Sequence, residues 1–561
     1  MKLRCDSVDT FPSPCSRCAK KGTFCEVDRN FTRERKRPQQ ASPDAMQVPT
    51  SLAPRNGALN APFDIKPTAE GSNTDPSGSA TPVDLPTVKN DNVKEYRIGN
   101  LSVPSAQVDM MFATFSAQFY PFLPAFPIHH IHPQVLWPDY ELLFWAICNI
   151  SARVCAPELV DVITLHLRSL INTTYTTHYI FRPFTSLTHV YALVLLCHWP
   201  LPHQTFQEDV SWTYAGIATH IALQIGLHRS AFTEEYTICK DGSQKYQARA
   251  LTWLACVLVN QEAANLRGIP STAAMDNLFL SSLLKVEHED KNVSEMIKQA
   301  RLLHALKGGI DKLGCVDSSE AHARHLVHRA CEEVLASLLP EMMPWAKMTE
   351  LVFLQAKLQL HSFLLSPDTP VKDQKDVIVP IYMVCIQTIQ VIKSMLDSQK
   401  SHQYWPYFVH TSTISAAVAL FKLTTCPYRD MIDEDTARNH VTDAYTILKT
   451  VTRVNRDVAD RGIRLLDALS IMAKQETYSK ELCIVKTRLG AGIFATALLE
   501  FKKWSRHQAR QEKDEMPANG SMGNDIAFET FIELMTVDNL WDWGTWPELE
   551  TAIPFPLDNG W

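Results

Sequence analysis

From Ser105 onward apolar residues recur every three to four positions, beginning with Val108, Met111, Phe112, Phe115 and Phe119. That spacing places them on one face of a helix. A loop punctuated by Pro121, Pro124 and Pro127 follows, and a second apolar helix runs through Leu142, Leu143, Trp145 and Ala146. The same period predicts helices over 157–177, 184–198, 211–226, 245–264, 291–306, 319–338, 348–365, 378–399, 408–424, 436–453 and 478–501. No run of alternating apolar and polar positions separates them, so the pattern predicts a large all-α domain over 105–505. Its apolar runs are short. The longest, around Val190–Leu196, falls well below the roughly 18–20 residues needed to span a bilayer, which predicts a soluble intracellular chain without a membrane partner.

Outside that body the pattern breaks down. Residues 38–104 are rich in Pro, Ser, Asn, Ala and Thr with few large apolar side chains, so the segment buries too little surface to offset its ordering entropy and reads as a disordered linker. It shows no sustained heptads, hence no visible coiled-coil stem. After Lys503 the chain turns polar, and 506–561 reads as an acidic, aromatic tail.

A length of 561 residues suits one large or two ordinary domains plus connecting segments. The net charge of −7 conceals an asymmetry: residues 1–37 carry ten Lys/Arg against five Asp/Glu, and 525–561 carry eight acids and no base. Such a split points to a head that meets nucleic acid and a tail that meets protein. The start of the chain is charged and rich in cysteine, unlike a secretory leader.

Four of the fourteen cysteines, Cys5, Cys15, Cys18 and Cys25, stand in this basic segment with nine, two and six residues between them. Cys-x-x-Cys supplies two thiolates on one tight bend, and Cys5 and Cys25 complete a set of four, as one structural zinc would require. The isolated Cys148, Cys197, Cys256 and Cys385 lie in apolar helical patterns and are expected to be packing residues.

At these residues the chain resembles a known family. Lys2-Leu3-Arg4-Cys5-Asp6, followed by Pro14-Cys15-Ser16-Arg17-Cys18-Ala19-Lys20-Lys21 and Cys25, is similar to the later part of the fungal six-cysteine binuclear zinc cluster, closest to the subgroup typified by the regulator of leucine biosynthesis. The resemblance makes Cys5, Cys15, Cys18 and Cys25 the third to sixth ligands, with Cys15 bridging two zinc ions. The first two ligands have no counterpart here, which leaves neither zinc with four donors. The expectation is a true start upstream of Met1, with rearrangement to one zinc or loss of DNA binding as alternatives. The resemblance further implies that Lys2 reads guanine, that Arg4, Arg17, Lys20 and Lys21 contact phosphate, and that a homodimer binds CGG triplets in double-stranded DNA. Arg33, Arg35, Lys36 and Arg37 fit phosphate contact, a nuclear import signal, or a solvated basic linker.

In the body, Ser211 to Arg229 (SWTYAGIATHIALQIGLHR) resembles the signature helix of the fungal transcription factor middle homology domain. Trp212, Ala215, Gly216, Thr219, Ala222 and Leu223 are expected on one face, with Gly226 as a left-handed C-terminal cap and Leu227 folding back. Arg249-x-x-x-Trp253-x-x-Cys256, continuing to Gly268-Ile269-Pro270, and Phe126-Pro127-Ile128-His129 are further matching blocks. His129, His130 and His132 lack an opposing ligand and are not expected to hold a metal. His228 and Arg229 lack a nucleophile, and are expected to cap a helix or pair between helices.

In the tail, Phe528, Phe531, Trp541, Trp543 and Trp546 alternate with unpaired acids, as in segments that offer aromatics to a coactivator groove; a last amphipathic segment docked on the body is the competing reading. Together these features predict a nuclear RNA polymerase II transcription regulator; for the helical body the resemblance leaves two expectations, a cavity for a small effector or a scaffold for dimerisation and tail presentation. The rival is a helical regulator that does not bind DNA and acts by pairing with or titrating a complete relative. No nucleophile–base pair or phosphate loop is visible, so no enzyme activity is expected.

Overall fold

The computed structural model describes residues 94–126, 131–178, 187–203, 209–229, 246–284, 290–317, 319–365, 374–398, 400–453 and 457–474, with Lys20, Val485, Arg488, Thr496, Ala497 and Glu500. Two compact units divide the chain, Met1–Ala80 and Thr81–Trp561, and every described residue except Lys20 belongs to the second.

The second unit is helical. Its elements are β1 (Glu95–Ile98), β2 (Leu101–Pro104), α1 (Ser105–Thr114), α2 (Pro133–Leu136), α3 (Glu141–Cys155), α4 (Val160–Asn172), α5 (Leu187–His198), α6 (Ser211–Gln224), α7 (Tyr246–Arg267), α8 (Asn277–Leu284), α9 (Lys291–Cys315), α10 (Ala321–Met342), α11 (Lys347–Ser362), α12 (Lys375–Ser398), α13 (Tyr407–Thr425), α14 (Glu434–Val451) and α15 (Val458–Ala473). Consecutive helices pack on one another along much of the chain, α5 on α6, α6 on α7, α11 on α12, α12 on α13 and α13 on α14, and α9 ties the two halves by touching both α7 and α11. The all-α expectation holds. Helices α5 and α13 are apolar around most of their circumference and buried almost throughout, whereas α14 and α15 bury one stripe. Asp290, Asp433 and Asp457 cap α9, α14 and α15 by accepting from the backbone N–H of Asn292, Thr436 and Asp460.

Three features depart from the sequence reading. The last ten residues of the stretch read as a disordered linker form the β1–β2 hairpin, antiparallel with Tyr96 opposite Val103. Tyr96 is buried edge-on to Trp137 at 5.8 Å and tilted on Phe144 at 5.0 Å, so two aromatic contacts offset the ordering cost of a short polar segment. Helix α15 lies between two helices the periodicity predicted and was not among them. Helix α12, 24 residues long, is apolar enough by length and composition to cross a membrane. Its most apolar stretch is mostly buried, and it packs on α11, α13 and α14, which accounts for its composition as a core helix.

Cys148, Cys197, Cys256 and Cys385 are buried free thiols, as the sequence predicts. One buried charge closes the second half of the body. Arg324 of α10, 1% exposed, donates to the carbonyls of Val316 (3.1 Å), Phe363 (3.1 Å) and Val485 (2.7 Å), while Val485 N–H reaches the Leu365 carbonyl at 3.0 Å.

Candidate functional site

The sequence blocks of the body converge on one node. Helix α6 ends at Gly226, whose φ of +75° is the left-handed value a C-terminal cap needs, and Leu227 behind it is fully buried. Arg249 of α7, 3% exposed, donates to the buried C-terminal end of α6 at the Ile225 carbonyl, 2.6 Å away. Thr252 Oγ1 reaches the Ala125 carbonyl at 2.9 Å, and Phe126 stacks on Tyr191 at 5.1 Å, which brings the entry segment to the same place. Trp253 is 1% exposed beneath them. The face of α6 differs in part from the expectation: Ala215, Thr219 and Ala222 are buried, but so are Ala218 and Ile221, while Leu223 is exposed and Gly216 faces open space. Arg229 pairs with Asp276 ahead of α8, as an interhelical partner, and the His228 ring stands 6.0 Å from that of Trp253.

Beside this node, the C-terminal ends of α5 and α7, the start of α6, and α9, α11 and α13 enclose a cavity of about 100 Å³. One wall is an ion pair: Asp209, with 3% of its side chain exposed, lies 3.3 Å from Arg267 Nη2 and accepts from Ser211 N–H at 2.9 Å and from the Ser211 hydroxyl. Cys197 Sγ donates to the Ser211 carbonyl at 3.3 Å. Burial, with Asp209 next to it, holds that thiol well above its usual range, so it is no nucleophile. Burial also pushes up the Tyr407 phenol, with Asp209 adding to the shift, and keeps it neutral.

Other polar atoms that line the cavity are unsatisfied. Gln359 is 6% exposed and neither of its amide atoms has a hydrogen-bond partner; the same holds for Gln355 Nε2, Ser412 Oγ and Arg267 Nη1. His198 Nδ1 stands 3.6 Å from the Glu262 carboxylate, beyond hydrogen-bond reach, and its Nε2 is also unpartnered. A buried donor or acceptor left without a partner costs about 1–3 kcal/mol. Five such side chains line one cavity, where water or a small molecule can supply the missing partners. Val259, Leu303, Val352 and Phe408 furnish its apolar side.

Most residues singled out in the sequence are not among the described ones. Lys20 is helical and exposed. Cys5, Cys15, Cys18, Cys25, Lys2, Arg4, Arg17, Lys21, Arg33, Arg35, Lys36, Arg37, Phe528, Phe531, Trp541, Trp543 and Trp546 fall outside the described residues, as do His129 and His130; His132 is exposed. The sequence reading anticipated a cavity but none of its residues. They come from six helices spread over more than two hundred positions, with no local motif to flag them.

Residues 112–305 match the fungal specific transcription factor domain, the span that holds the node and the α5, α6, α7 and α9 walls of the cavity. The chain is 25% identical over 516 residues to the Eremothecium gossypii protein named SEF1, covering 85% of this chain and 46% of that one. It is 23% identical over 600 residues to the transcriptional regulatory protein SEF1 of Candida albicans, 91% of this chain and 63% of that one. The regulatory protein LEU3 of Saccharomyces cerevisiae is 24% identical over 358 residues, half of this chain and 39% of that protein. The chain thus spans between about two fifths and two thirds of the length of these relatives. No solved structure matches it.

Proposed function

We propose that the chain is a regulator of RNA polymerase II transcription that binds CGG-containing DNA in the nucleus as a homodimer, and whose helical body takes up a small effector. The observation that carries the reading is the match of residues 112–305 to a fungal transcription factor domain in a chain whose basic segment holds Cys5, Cys15, Cys18 and Cys25. Thiolates at this spacing suit structural zinc, which when bound would hold the segment folded. Lys2 then serves base recognition, and Arg4, Arg17, Lys20 and Lys21 serve phosphate contact. Arg33, Arg35, Lys36 and Arg37 serve phosphate contact or import, and the tail with Phe528, Phe531, Trp541, Trp543 and Trp546 engages a coactivator. Mechanism in this reading is binding, not chemistry.

A gel-shift on CGG repeats with the zinc-loaded chain tests it. Retardation that disappears on Cys15→Ser supports the reading. No retardation, also from a version extended upstream, favours a helical regulator that works by pairing with a complete relative. The effector is tested by thermal shift against small polar metabolites. Given about 100 Å³ of space, less than the roughly 150 Å³ cavity known to take benzene, a ligand of few heavy atoms with both donors and acceptors is expected to raise the melting temperature.

A further inference from the structure

Helices α10 and α11 carry a second cluster that the regulatory reading leaves unused. His328 and Glu332 are one turn apart on α10, and His361 faces them from α11; one ligand atom of each lies within 4.8 Å of the others. We infer that this trio is a binding site for a divalent transition-metal cation, with His328 Nε2, His361 Nδ1 and Glu332 Oε1 as donors.

The geometry of the two imidazoles is the first argument. Their facing nitrogens are 2.9 Å apart. Two nitrogens bound to one tetrahedral zinc at about 2.0–2.1 Å stand about 3.3 Å from each other, so the pair, which shares a hydrogen bond at 2.9 Å, needs to open by only a few tenths of an ångström to become neighbouring ligands. The third donor needs only a small rotation: Glu332 Oε1 is 4.0 Å from His328 Nε2. That oxygen is itself buried and accepts no hydrogen bond, while Oε2 of the same carboxylate is held by Lys357 at 3.4 Å. One oxygen is thus anchored and the other is left without an occupant, in a group whose burial would otherwise cost free energy.

The donor set defines the class of cation. Two imidazoles and one carboxylate suit zinc and its divalent first-row neighbours better than magnesium or calcium, which prefer oxygen throughout. The partly exposed side of Glu332, 34% accessible, leaves the remaining coordination positions open to water. Lys357 opposes a cation by its charge, so the site is of moderate strength, and a bound metal ties α10 to α11.

Cobalt titration of the full chain tests the proposal, with Cys5, Cys15, Cys18 and Cys25 changed to serine so that the N-terminal thiolates take no metal. One equivalent of Co²⁺ is expected to bind with ligand-field bands but no thiolate-to-cobalt charge transfer, and to raise the melting temperature. Glu332→Gln, at a partly exposed position, is expected to weaken binding about tenfold or more while melting like the parent without metal. His328→Asn is expected to weaken binding as much, with a lower melting temperature from losing its 2.9 Å hydrogen bond to His361. Lys357→Met, which removes the opposing charge, is expected to bind tighter, a response that a merely structural histidine pair would not give. Absence of uptake by the serine variant, titration of Glu332→Gln and His328→Asn like the parent, or unchanged affinity in Lys357→Met each overturns the proposal.

Discussion

Arg249 donates through Nη2 to the carbonyl of Ile225 at 2.6 Å, and so satisfies the C-terminal end of α6 from inside the core. The two residues come from separate sequence blocks, and their bond joins those blocks in the fold. A helix end buried without such a donor leaves orphan carbonyls. Arg249→Met keeps the stem and deletes the donor; it is expected to destabilise the body by about 1.5–3 kcal/mol, the range for a hydrogen bond to a charged group. Urea unfolding followed by circular dichroism measures it.

Two glycines in helices should respond in opposite directions to alanine. At Gly462 of α15 an added Cβ would stand 2.5 Å from Ile414 Cγ1, because α15 lies directly on α13 there. Gly462→Ala is expected to cost roughly 1–3 kcal/mol through overpacking. At Gly216 of α6 an added Cβ meets nothing within 4 Å. Gly216→Ala should stabilise by about 0.5–1 kcal/mol through helix propensity alone. Equal effects of the two in thermal melts would refute this account of the α13–α15 contact.

The unsatisfied lining of the cavity makes a prediction that separates stability from binding. Ser412→Ala removes a buried hydroxyl without a partner, so the ligand-free protein should be as stable as the parent or more so, by up to about 1–3 kcal/mol. The same variant should lose part of the melting shift that an effector produces. A Ser412→Ala protein that is less stable and keeps the full shift would mean that the hydroxyl serves packing.

Acid should loosen the body through half-buried histidines. Burial holds the imidazoles of His189 and His410 down to about 4 against an ordinary 6.5, with Arg453 and His402 adding to the effect at His410 and Asp457 opposing it. Between these values the unfolded chain binds the proton and the folded chain does not, so their contribution is complete above pH 6.5 and is lost as the pH falls towards 4. Each group can supply at most on the order of 3 kcal/mol. The melting temperature should therefore fall from pH 7 to pH 5, and His410→Gln should flatten that slope.

What the sequence revealed depended on how locally each feature is encoded. Gly226 and Leu227 announce a helix end because capping is decided within a few residues, and both behave as their pattern suggests. Helix α15 escaped notice because Arg461 and Gly462 interrupt its apolar stripe. In the fold both are on the buried side, Arg461 donating to the His203 carbonyl at 2.8 Å and Gly462 against Ile414. The β1–β2 hairpin was hidden by strands of four residues, too short for alternation to show; Tyr96 is held by Trp137 and Phe144, some forty residues away. The cavity was the least legible. Gln359 and Ser412 read as ordinary polar positions in apolar helices, and only tertiary packing turns them towards a shared space.

Arg324 sets a clock on the making of the protein. Its guanidinium bonds Val316 and Phe363 nearby in the chain, but its third acceptor, Val485, is 161 residues further on. At the usual 5–20 residues per second of synthesis, that acceptor reaches the exit of the ribosome roughly 8–30 s after Arg324 does. Until then one of the three acceptors of that buried charge is missing, and the packing around Arg324 is complete only when the chain has run past Val485.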